Sequence, residues 1–575
     1  MPKKKYIYLT LALICFLVYA NSLNNAFVSD DITAIAENSR IAYLGDYRFD
    51  PQSLLNSLIY KIAKFNVIPY HLANIILHFL NSLLVFFFLR LFFKTGPSLL
   101  SAALFAAHPV HTEAVTWISG RPYLILTFFT LITYLLYHKA TGYNVKNKKR
   151  FYTGYLSSLC IFSYFIIGNY FYFLFPFFIL LSDIVFSRAK KNWKLWIPFF
   201  AILLMRIILA GQTLEQRIAF TLLYDPGKGE AWRNPAFPFI YSIFSHLRLL
   251  FWPAKLTFFH EPVIFYPAVM WSGLIAMIIL ACFLPYIFKK AKSIFLGIGM
   301  FILFLAPTYS PLPIASIVAE RYAYLPSILV SILAAFCYEK YSKRINNSLL
   351  ISIFILVVVA YGGRTFIRNS DWKDTKRFWS TTLEVSPYSP WAHSNMGEVY
   401  LKERDSKSAL AEFNTALKLN PNLAEAYNNR GHLYYEAGDL GQAISDYSRA
   451  IQINPDFTQA YNNRGIVYKN QGKIDAAISD YNQALKINPD YAEVYYNRGN
   501  AYAAGGNLSR AISDYDQAIR IIPDTASFYA NRGALYFIRQ EYDKTLEDIH
   551  KAQTLGYRFN PEFLRQLKRV TENKK

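Results

Sequence analysis

Cysteine is scarce in this chain, which contains only four in 575 residues. Cys15, Cys160, Cys282 and Cys337 each lie within an apolar run. Their separations match no zinc-site spacing, and four scattered thiols do not make a disulfide framework. The sequence therefore indicates neither a cysteine metal centre nor a disulfide-stapled fold.

Charged residues are also few, at 17% of the chain, and carboxylates are the scarcer sign, with 38 Asp and Glu against 60 Lys and Arg. The net charge of +22 lies almost wholly before residue 385, because residues 385–575 hold 23 basic and 22 acidic residues. The basic part is the apolar part, and 54% of the whole chain is hydrophobic. Basic charge on an apolar segment indicates membrane topology and argues against a nucleic acid partner.

Long apolar runs recur through the first 366 residues. A helix needs roughly 20 residues to cross the hydrocarbon core of a bilayer. The predicted spans are 6–23, 71–93, 97–117, 121–138, 152–168, 169–187, 194–211, 267–288, 293–309, 323–338 and 348–366. We therefore expect an all-α fold whose residues 1–366 form a membrane helix bundle of about eleven spans.

Clusters of Lys and Arg indicate which side of the membrane is cytoplasmic. The clusters are at 3–5, 90 with 94, 146–150, 188–194, 289–292 and 340–344. All fall on one side if the apolar segment 239–258, which contains Arg248 and Pro253, does not cross fully. This predicts a multi-pass protein of the cell inner membrane, with a cytoplasmic N-terminus, a first outer loop at 24–70, and everything after residue 366 outside the cytoplasm.

Nearly all carboxylates of this half fall on the predicted outer side, and only Asp183 and Glu339 fall on the other. Acidic residues contribute little to orientation, so this asymmetry favours chemistry at the outer surface, with solvated loops as the alternative. Asp30 and Asp31 are adjacent in the first outer loop. Neighbouring carboxylates raise one another's pKa, which suits a general base or a cation site.

Glycine and proline, 25 and 26 in number, recur with a period of 34 in the second half. The columns are Gly397, Gly431, Gly465, Gly499 and Gly533, and Pro387, Pro421, Pro455, Pro489 and Pro523. This is the tetratricopeptide period. The sequence predicts a linker at 367–388, five repeats at 389–557 that stack as an α-solenoid, and a capping helix with a basic tail at 558–575.

Four repeats carry an arginine before the glycine and an aspartate sixteen residues after the arginine. These pairs are Arg430 with Asp446, Arg464 with Asp480, Arg498 with Asp514, and Arg532 with Asp548. The first repeat has Met396 and Glu412 instead. We expect a structural ion pair between the two helices of each of the four repeats.

An asparagine stands at the sixth position of the first helix in every repeat: Asn395, Asn429, Asn463, Asn497 and Asn531. A carboxamide both donates to and accepts from one peptide unit, so the column is a candidate peptide-binding ladder on the concave face. The alternative is that asparagine is simply a common consensus residue of such repeats.

Four strings stand in order along the chain: VSDDITAIAENSRI, FAAHPVHTEAVTWISGRP, AERYAYLPSI and RNSDWKDTKRFW. Together with the repeats they resemble the transmembrane and tetratricopeptide repeat-containing proteins, a family of protein O-mannosyltransferase-like enzymes in the GT-C glycosyltransferase superfamily. The resemblance covers nearly the whole chain and is to a bacterial type of member.

The resemblance implies transfer of a sugar from a polyprenyl-phosphate donor to Ser or Thr of an extracytoplasmic protein recruited by the repeats. It assigns Asp30 as the base, with Asp31 in support. It places the donor phosphate near Arg121, Arg321, His108 and His111, supported by Glu113, Glu320 and Tyr322. Glu320 adjoins Arg321, which suggests that it neutralises this arginine, and snorkelling to the headgroups is the alternative role of the arginines.

The spacing H-x-x-H-x-E at 108–113 invites a metal site, but Pro109 interrupts the helix and the zinc spacings are not met. We instead expect His108 and His111 to hydrogen-bond the donor phosphate or neighbouring helices. We expect no metal and no cofactor beyond the donor, with a divalent cation as the alternative.

Asn169, Tyr170 and Tyr123 stand where the family has Lys, Glu and an acid. They imply either a different donor sugar or a weakened enzyme. The alternative function is an inactive membrane-anchored scaffold that binds peptides or proteins through the repeats.

Overall fold

The computed structural model describes residues 4–36, 41, 50–141, 148–168, 170–224, 236–254, 256–258, 267–309 and 318–572. Helices and turns account for its regular structure, and these residues contain no β-strand. The predicted all-α class is therefore confirmed. The chain divides into two compact units, Met1–Ser389 and Pro390–Lys575, and each is described by itself.

The first unit contains sixteen α-helices among its described residues. They are α1 Lys4–Tyr19, α2 Pro51–Ala63, α3 Val67–Leu89, α4 Thr95–Ala107, α5 Thr112–Thr116, α6 Arg121–Thr141, α7 Lys148–Gly168, α8 Phe175–Val185, α9 Ala189–Tyr224, α10 Ala236–Phe251, α11 Pro267–Lys290, α12 Lys292–Phe304, α13 Ala306–Tyr309, α14 Ile328–Tyr341, α15 Asn347–Asn369 and α16 Thr375–Val385.

Several short 3₁₀ or π turns join these helices. Those used below are Ile32–Ala36, Pro109–His111, Ile118–Gly120, Glu320–Ala323 and Ser370–Trp372.

Six helical stretches of the described residues are long and apolar enough to cross a membrane: Lys5–Ser22, Val67–Leu89, Ile118–Thr141, Ala189–Leu209, Gly273–Lys290 and Asn347–Trp372. Each matches one of the predicted spans. Five shorter apolar helices accompany them, at Thr95–Ala107, Phe151–Ile166, Tyr172–Val185, Phe239–Phe251 and Lys292–Thr308.

The predicted span 97–117 is wrong as a single helix. The α4 helix ends at Ala107, and His108 is extended, with φ −68° and ψ 125°. Pro109 follows, and a proline disfavours helical geometry in the residue before it and lacks the N–H that would continue the ladder. The chain then passes through a 3₁₀ turn and the five-residue α5, so polar residues line a compact corner instead of one membrane-crossing helix.

The segment 239–258 contains most of α10, Ala236–Phe251, a helix of 16 residues. At about 24 Å its length is below the roughly 30 Å of the hydrocarbon core. The carbonyl of Leu250, at its C-terminal end, accepts a hydrogen bond from His108 Nε2 at 2.9 Å. This end of α10 therefore lies beside the corner that follows α4.

The second unit is an array of helical hairpins with a final helix. Its helices are α17 Pro390–Lys402, α18 Ser406–Leu419, α19 Ala424–Glu436, α20 Leu440–Ile453, α21 Thr458–Asn470, α22 Ile474–Ile487, α23 Ala492–Ala504, α24 Leu508–Ile521, α25 Ala526–Ile538, α26 Tyr542–Thr554 and α27 Pro561–Glu572.

The glycine column is explained by close packing within each hairpin. A Cβ at Gly465 would lie 2.7 Å from the ring of Tyr481 on the partner helix, and Gly499 stands in the same relation to Tyr515. A second glycine, such as Gly472 with φ +73°, ends the first helix of the hairpin in a left-handed turn. These two demands set the period that the sequence displays.

The arginine column joins neighbouring repeats as well as the two helices of one hairpin. Arg464 donates from Nε and Nη2 to Asp480 at 2.8 and 2.7 Å, and from Nη1 to Ser448 of the preceding repeat at 2.9 Å. Its guanidinium lies 5.8 Å from the rings of Tyr461 and Tyr468. Arg430, Arg498 and Arg532 repeat this arrangement with their own aspartates. The expected ion pairs are therefore present.

We predict that Arg464→Ala destabilises the array by about 2 kcal/mol, because it removes a half-buried bidentate pair and the tie to Ser448. Hydrogen exchange of the full chain should speed up in α21 and α22. Arg449→Ala is the matched control, since Arg449 is exposed and bonds Gln452 on its own helix at 3.3 Å. Equal hydrogen-exchange rates of α21 and α22 in the two variants would contradict the role of Arg464 in joining these helices.

Candidate functional site

One short segment, 108–121, contains four residues predicted for the site, His108, His111, Glu113 and Arg121, and it bonds Asp31 and Arg321. It leaves α4 at His108, turns through α5, and enters α6 at Arg121. Gly120 permits this compact path, because a Cβ there would lie 2.6 Å from the carbonyl oxygen of Glu113. The segment therefore gathers charged groups from distant parts of the chain.

Asp30 and Asp31 point to different surroundings. Asp31 is fully buried, and its Oδ1 accepts hydrogen bonds from the backbone N–H and the hydroxyl of Ser119 at 2.7 and 2.6 Å. Its Oδ2 accepts from the N–H of Val28 at 3.4 Å. Asp30 is exposed, with its carboxylate 3.5 Å from the hydroxyl of Ser29. Burial raises the pKa of Asp31 to about 7, although the hydrogen bonds from Ser119 lower it in part.

Arg121 is completely buried and turned into the protein. Its Nε donates to Asn74 Oδ1 at 2.6 Å, its Nη2 to the carbonyl of Tyr70 at 2.9 Å, and its Nη1 to Asn56. A buried guanidinium requires such acceptors, because leaving them unmade costs the full desolvation of the charge. The geometry does not fit the expected contact of Arg121 with a donor phosphate, since no face of the side chain is accessible.

Arg321 is held by Glu113, which accepts from Arg321 Nη1 and, at 2.9 Å, from the Arg321 backbone N–H. The guanidinium lies 5.0, 5.2 and 5.6 Å from the rings of Tyr322, Phe258 and Trp117. Arg321 also lines a small pocket. The other residues of this pocket are Tyr123, Leu126, Phe304, Pro307, Thr308, Tyr322, Leu325 and Pro326.

The expected role of Glu320 as the neutralising partner of Arg321 is wrong. Glu320 pairs with Arg368 at 3.1 Å, and Arg368 pairs in turn with Asp371 at 2.6 Å. Glu113 takes the place expected of Glu320. In a short helical turn, side chains of adjacent residues diverge, so Glu320 and Arg321 face different partners.

His108 and His111 are buried among protein partners. His108 Nε2 bonds the Leu250 carbonyl at 2.9 Å, and His108 Nδ1 accepts from the Val110 N–H at 3.2 Å. His111 Nε2 lies 2.8 Å from the hydroxyl of Ser327. These contacts join the corner to α10 and α14. They fit the expected bonds to neighbouring helices and not the alternative contact with the donor phosphate. Among the described residues, no three His, Cys, Asp or Glu side chains are grouped to hold a metal ion.

A row of buried polar residues on α3 lies in the string YHLANIILHFLNSL, to which the sequence prediction assigned no role. Asn74 Nδ2 donates to the carbonyls of Val115 and Trp117 at 3.0 and 3.1 Å. The row is His71, Asn74, His78 and Asn81, and none exceeds 1% exposure. Their spacing of three and four residues in an apolar helix was the available signal, because polar groups at that spacing share one face.

The departures from the family pattern fall in two places. Tyr123 lies beside Tyr322, with ring centroids 5.6 Å apart, in the pocket that Arg321 lines. Asn169 lies outside the described residues, and the side chain of Tyr170 is outside them too.

The asparagine column bonds from repeat to repeat. Asn463 donates to Asn428 and Asn497 to Asn462, both at 3.0 Å, and Asn531 donates to Asn500 at 2.8 Å. Asn395 instead donates to the carbonyl of Trp391, four residues earlier, at 2.8 Å, and Asn429 accepts from Asn428 at 3.2 Å. Asn531 also donates to the hydroxyl of Tyr496 at 3.0 Å. At least one N–H of each donor thus serves the array itself, and peptide binding by the column stays a prediction.

Comparison with known proteins identifies the second unit. The family model described as "TPR repeat" matches residues 406–438, 431–472, 468–506 and 499–537. The predicted tetratricopeptide repeats are therefore confirmed.

Curated relatives extend over the membrane unit as well. Protein O-mannosyl-transferase TMTC3 of Homo sapiens is 25% identical over 436 residues, covering 66% of this chain and 47% of the relative. Protein O-mannosyl-transferase F38B6.6 of Caenorhabditis elegans is 27% identical, covering 60% and 49%. TMTC4 of Homo sapiens is 26% identical, covering 68% and 62%. The chain spans about half the length of the first two of these relatives.

Two solved structures match the repeats. The crystal structure of MamA is 25% identical, with a TM-score of 0.26, and covers 28% of this chain and 94% of MamA. That of YrrB, described as a TPR protein with an unusual peptide-binding site, is 21% identical, with a TM-score of 0.27, and covers 31% and 92%.

The fold and these relatives define a helical membrane protein that carries tetratricopeptide repeats. It is similar to the TMTC-like proteins, as the order of its sequence motifs predicted.

We predict that Asp31→Asn changes how stability depends on pH. The folded protein keeps a proton on Asp31 up to about pH 7, whereas the unfolded chain releases it near pH 3.8. Because the folded state binds more protons, this contribution to stability is full below pH 3.8 and is lost as the pH rises to 7. The melting temperature of Asp31→Asn in detergent, relative to wild type, should therefore rise by several degrees between pH 4 and 7. A constant difference would contradict the raised pKa of Asp31.

We predict that Glu113→Gln destabilises the first unit by about 3 kcal/mol, because it leaves the buried Arg321 charge without its carboxylate. Adding Arg321→Met should recover part of the loss, since the second change removes that unpaired charge. Glu541→Gln, in an exposed pair with Lys544, is the control. The stability of the wild type, the two single variants and the double variant is measured by thermal unfolding in detergent. A double variant no more stable than Glu113→Gln would contradict the pairing.

Proposed function

We propose that this protein is a membrane glycosyltransferase that moves a sugar, mannose by analogy with its named relatives, from a polyprenyl-phosphate donor to Ser or Thr of an extracytoplasmic protein. The observation that carries the proposal is the asymmetry of the first outer loop: Asp31 is anchored on Ser119 while Asp30 is exposed. An exposed carboxylate beside a fixed one can meet an acceptor hydroxyl. The relatives named protein O-mannosyl-transferase support the reaction class.

In the proposed reaction Asp30 removes the proton from the acceptor hydroxyl. The hydroxyl oxygen then forms a bond to the anomeric carbon of the sugar as the bond from that carbon to the phosphate oxygen breaks. The configuration at the carbon inverts, and polyprenyl phosphate leaves with the bonding electron pair. Asp30 carries the proton away.

Arg321 is the cation proposed for the phosphate. It lines a pocket with apolar residues such as Leu126 and Phe304, and Glu113 holds it in place. A pre-positioned charge stabilises a developing anion without reorganisation during the reaction. We assign Tyr123 and Tyr322 to the same pocket as candidate contacts of the sugar, since they lie together beside Arg321.

The proposed setting is the cell inner membrane, with the first outer loop and the repeats outside the cytoplasm. The repeats recruit the acceptor polypeptide, and the asparagine column is the proposed contact to its backbone. No step of the proposed reaction uses a metal ion.

A second candidate function is a membrane-anchored scaffold that binds peptides without catalysis. The complete burial of Arg121 favours it, because one of the two arginines expected at the donor phosphate is inaccessible. In that case the repeats perform the function and the first unit only anchors them.

We predict that Asp30→Asn reduces sugar transfer by at least 100-fold while leaving folding intact, because the amide is not a base. Transfer is measured in purified protein with polyprenyl phosphate mannose and an extract of envelope proteins, and folding by the melting temperature. Asp50→Asn is the matched control in the same loop: Asp50 caps α2 by accepting from the Gln52 N–H at 3.2 Å, and asparagine caps equally well.

Wild-type transfer by Asp30→Asn would show that the assigned base is wrong. If it retains the cellular phenotype while Asn429→Ala, Asn463→Ala and Asn497→Ala together abolish it, the scaffold is the function instead.

A further inference from the structure

The first outer loop is bonded to the rest of the first unit by two residues, Ser119 and Arg121, which are only two positions apart in the chain. Ser119 holds Asp31 through two hydrogen bonds at 2.7 and 2.6 Å. Arg121 holds Asn56, a 3% exposed residue of the loop helix α2. The two ends of the described loop therefore depend on one turn at the start of α6.

The partners of Arg121 show what its charge does. All three acceptors are uncharged, and they come from α2 and from the adjoining α3: Asn56, the carbonyl of Tyr70, and Asn74. The acidic group that interacts with Arg121 electrostatically is Asp31, the other anchor. A planar guanidinium can donate in three directions at once, which a lysine ammonium on a flexible stem does not do in fixed geometry.

We propose that Arg121 and Asp31 are positioning residues that pin both ends of the first outer loop and thereby hold Asp30 at the protein surface. Arg121 acts through Asn56 and does not contact the donor. This inference rests on the proposed function for its catalytic consequence, whereas the pinning itself is independent of that function.

The burial of Ile35, next to these two anchors, reports whether the loop is held in place. Ile35 is fully buried with Ile41, Tyr70 and Ile118. These residues belong to the loop, to α3 and to the turn before Arg121. Release of the loop should expose Ile35, because Ile118, which covers it, lies outside the loop.

The test places a thiol at Ile35 by Ile35→Cys, in a background of Cys160→Ala, Cys282→Ala and Cys337→Ala, since these three thiols are exposed. The full chain is labelled with a maleimide in detergent. Asn56→Ala removes one charge-assisted hydrogen bond and should speed labelling roughly tenfold or more. Asn56→Asp keeps an acceptor for Arg121 and should restore protection.

Asn81→Ala is the matched control. Asn81 is a buried asparagine of α3 that donates to the Leu124 carbonyl of α6 at 2.9 Å, away from the loop. It should leave the thiol at position 35 protected. Labelling as slow in Asn56→Ala as in the parent would overturn the pinning role.

Steady-state kinetics distinguish a positioning residue from a residue that contacts the donor. Asn56→Ala and Arg121→Lys should lower kcat while the KM for the polyprenyl-phosphate donor stays within about twofold, since neither side chain touches the donor. An increase in that KM of tenfold or more in Arg121→Lys, with position 35 still protected, would overturn the inference. If the wild type transfers no sugar, the proposed function fails, and the labelling comparison still decides whether the loop is pinned.

Discussion

The pairing of Glu113 with Arg321 is the interaction on which the rest of the first unit depends. Both side chains are buried in an apolar helical unit, where an unpaired charge would cost several kcal/mol. The carboxylate and guanidinium come from segments 208 residues apart. Their pairing therefore fixes where the turn before α14 lies against the corner that follows α4, and the pocket beside Tyr123 and Tyr322 forms along that contact.

The same requirement for partners explains why one corner of the chain is so densely connected. Segment 108–121 provides Glu113 to Arg321, Ser119 to Asp31, and Thr116 to Asn369 at 2.9 Å. A continuous membrane helix could not do this, because its backbone groups satisfy one another and its side chains radiate along its length. Because the helix breaks at Pro109, backbone and side-chain groups at one level of the bundle become available to bond other segments.

The repeats could be predicted from the sequence almost completely, whereas the contacts of the site could not. Period, ion pairs and glycine packing in the repeats depend on residues 16 or 34 apart, which a single sequence displays directly. The partner of Arg321 could not be predicted in this way. Glu320 is adjacent in sequence and Glu113 is distant, and only the direction of each side chain decides between them. The acid pair shows the same limit: adjacency identified Asp30 and Asp31, but burial separates their roles.

The two arginines differ in what each could offer an anion. Arg121 has neutral acceptors, so its charge is not cancelled by contact, but it is fully buried and no ligand reaches it. Arg321 is paired with a carboxylate and still lines a pocket. A guanidinium carries five N–H donors in a fixed plane, and the bond to Glu113 is made from Nη1. Because Glu113 and three aromatic rings already hold Arg321, a phosphate bound at its remaining edge would order no additional side chain. The arginine with the carboxylate partner is therefore the better placed of the two to bind an anion, and the arginine with neutral partners is the better placed to hold the loop.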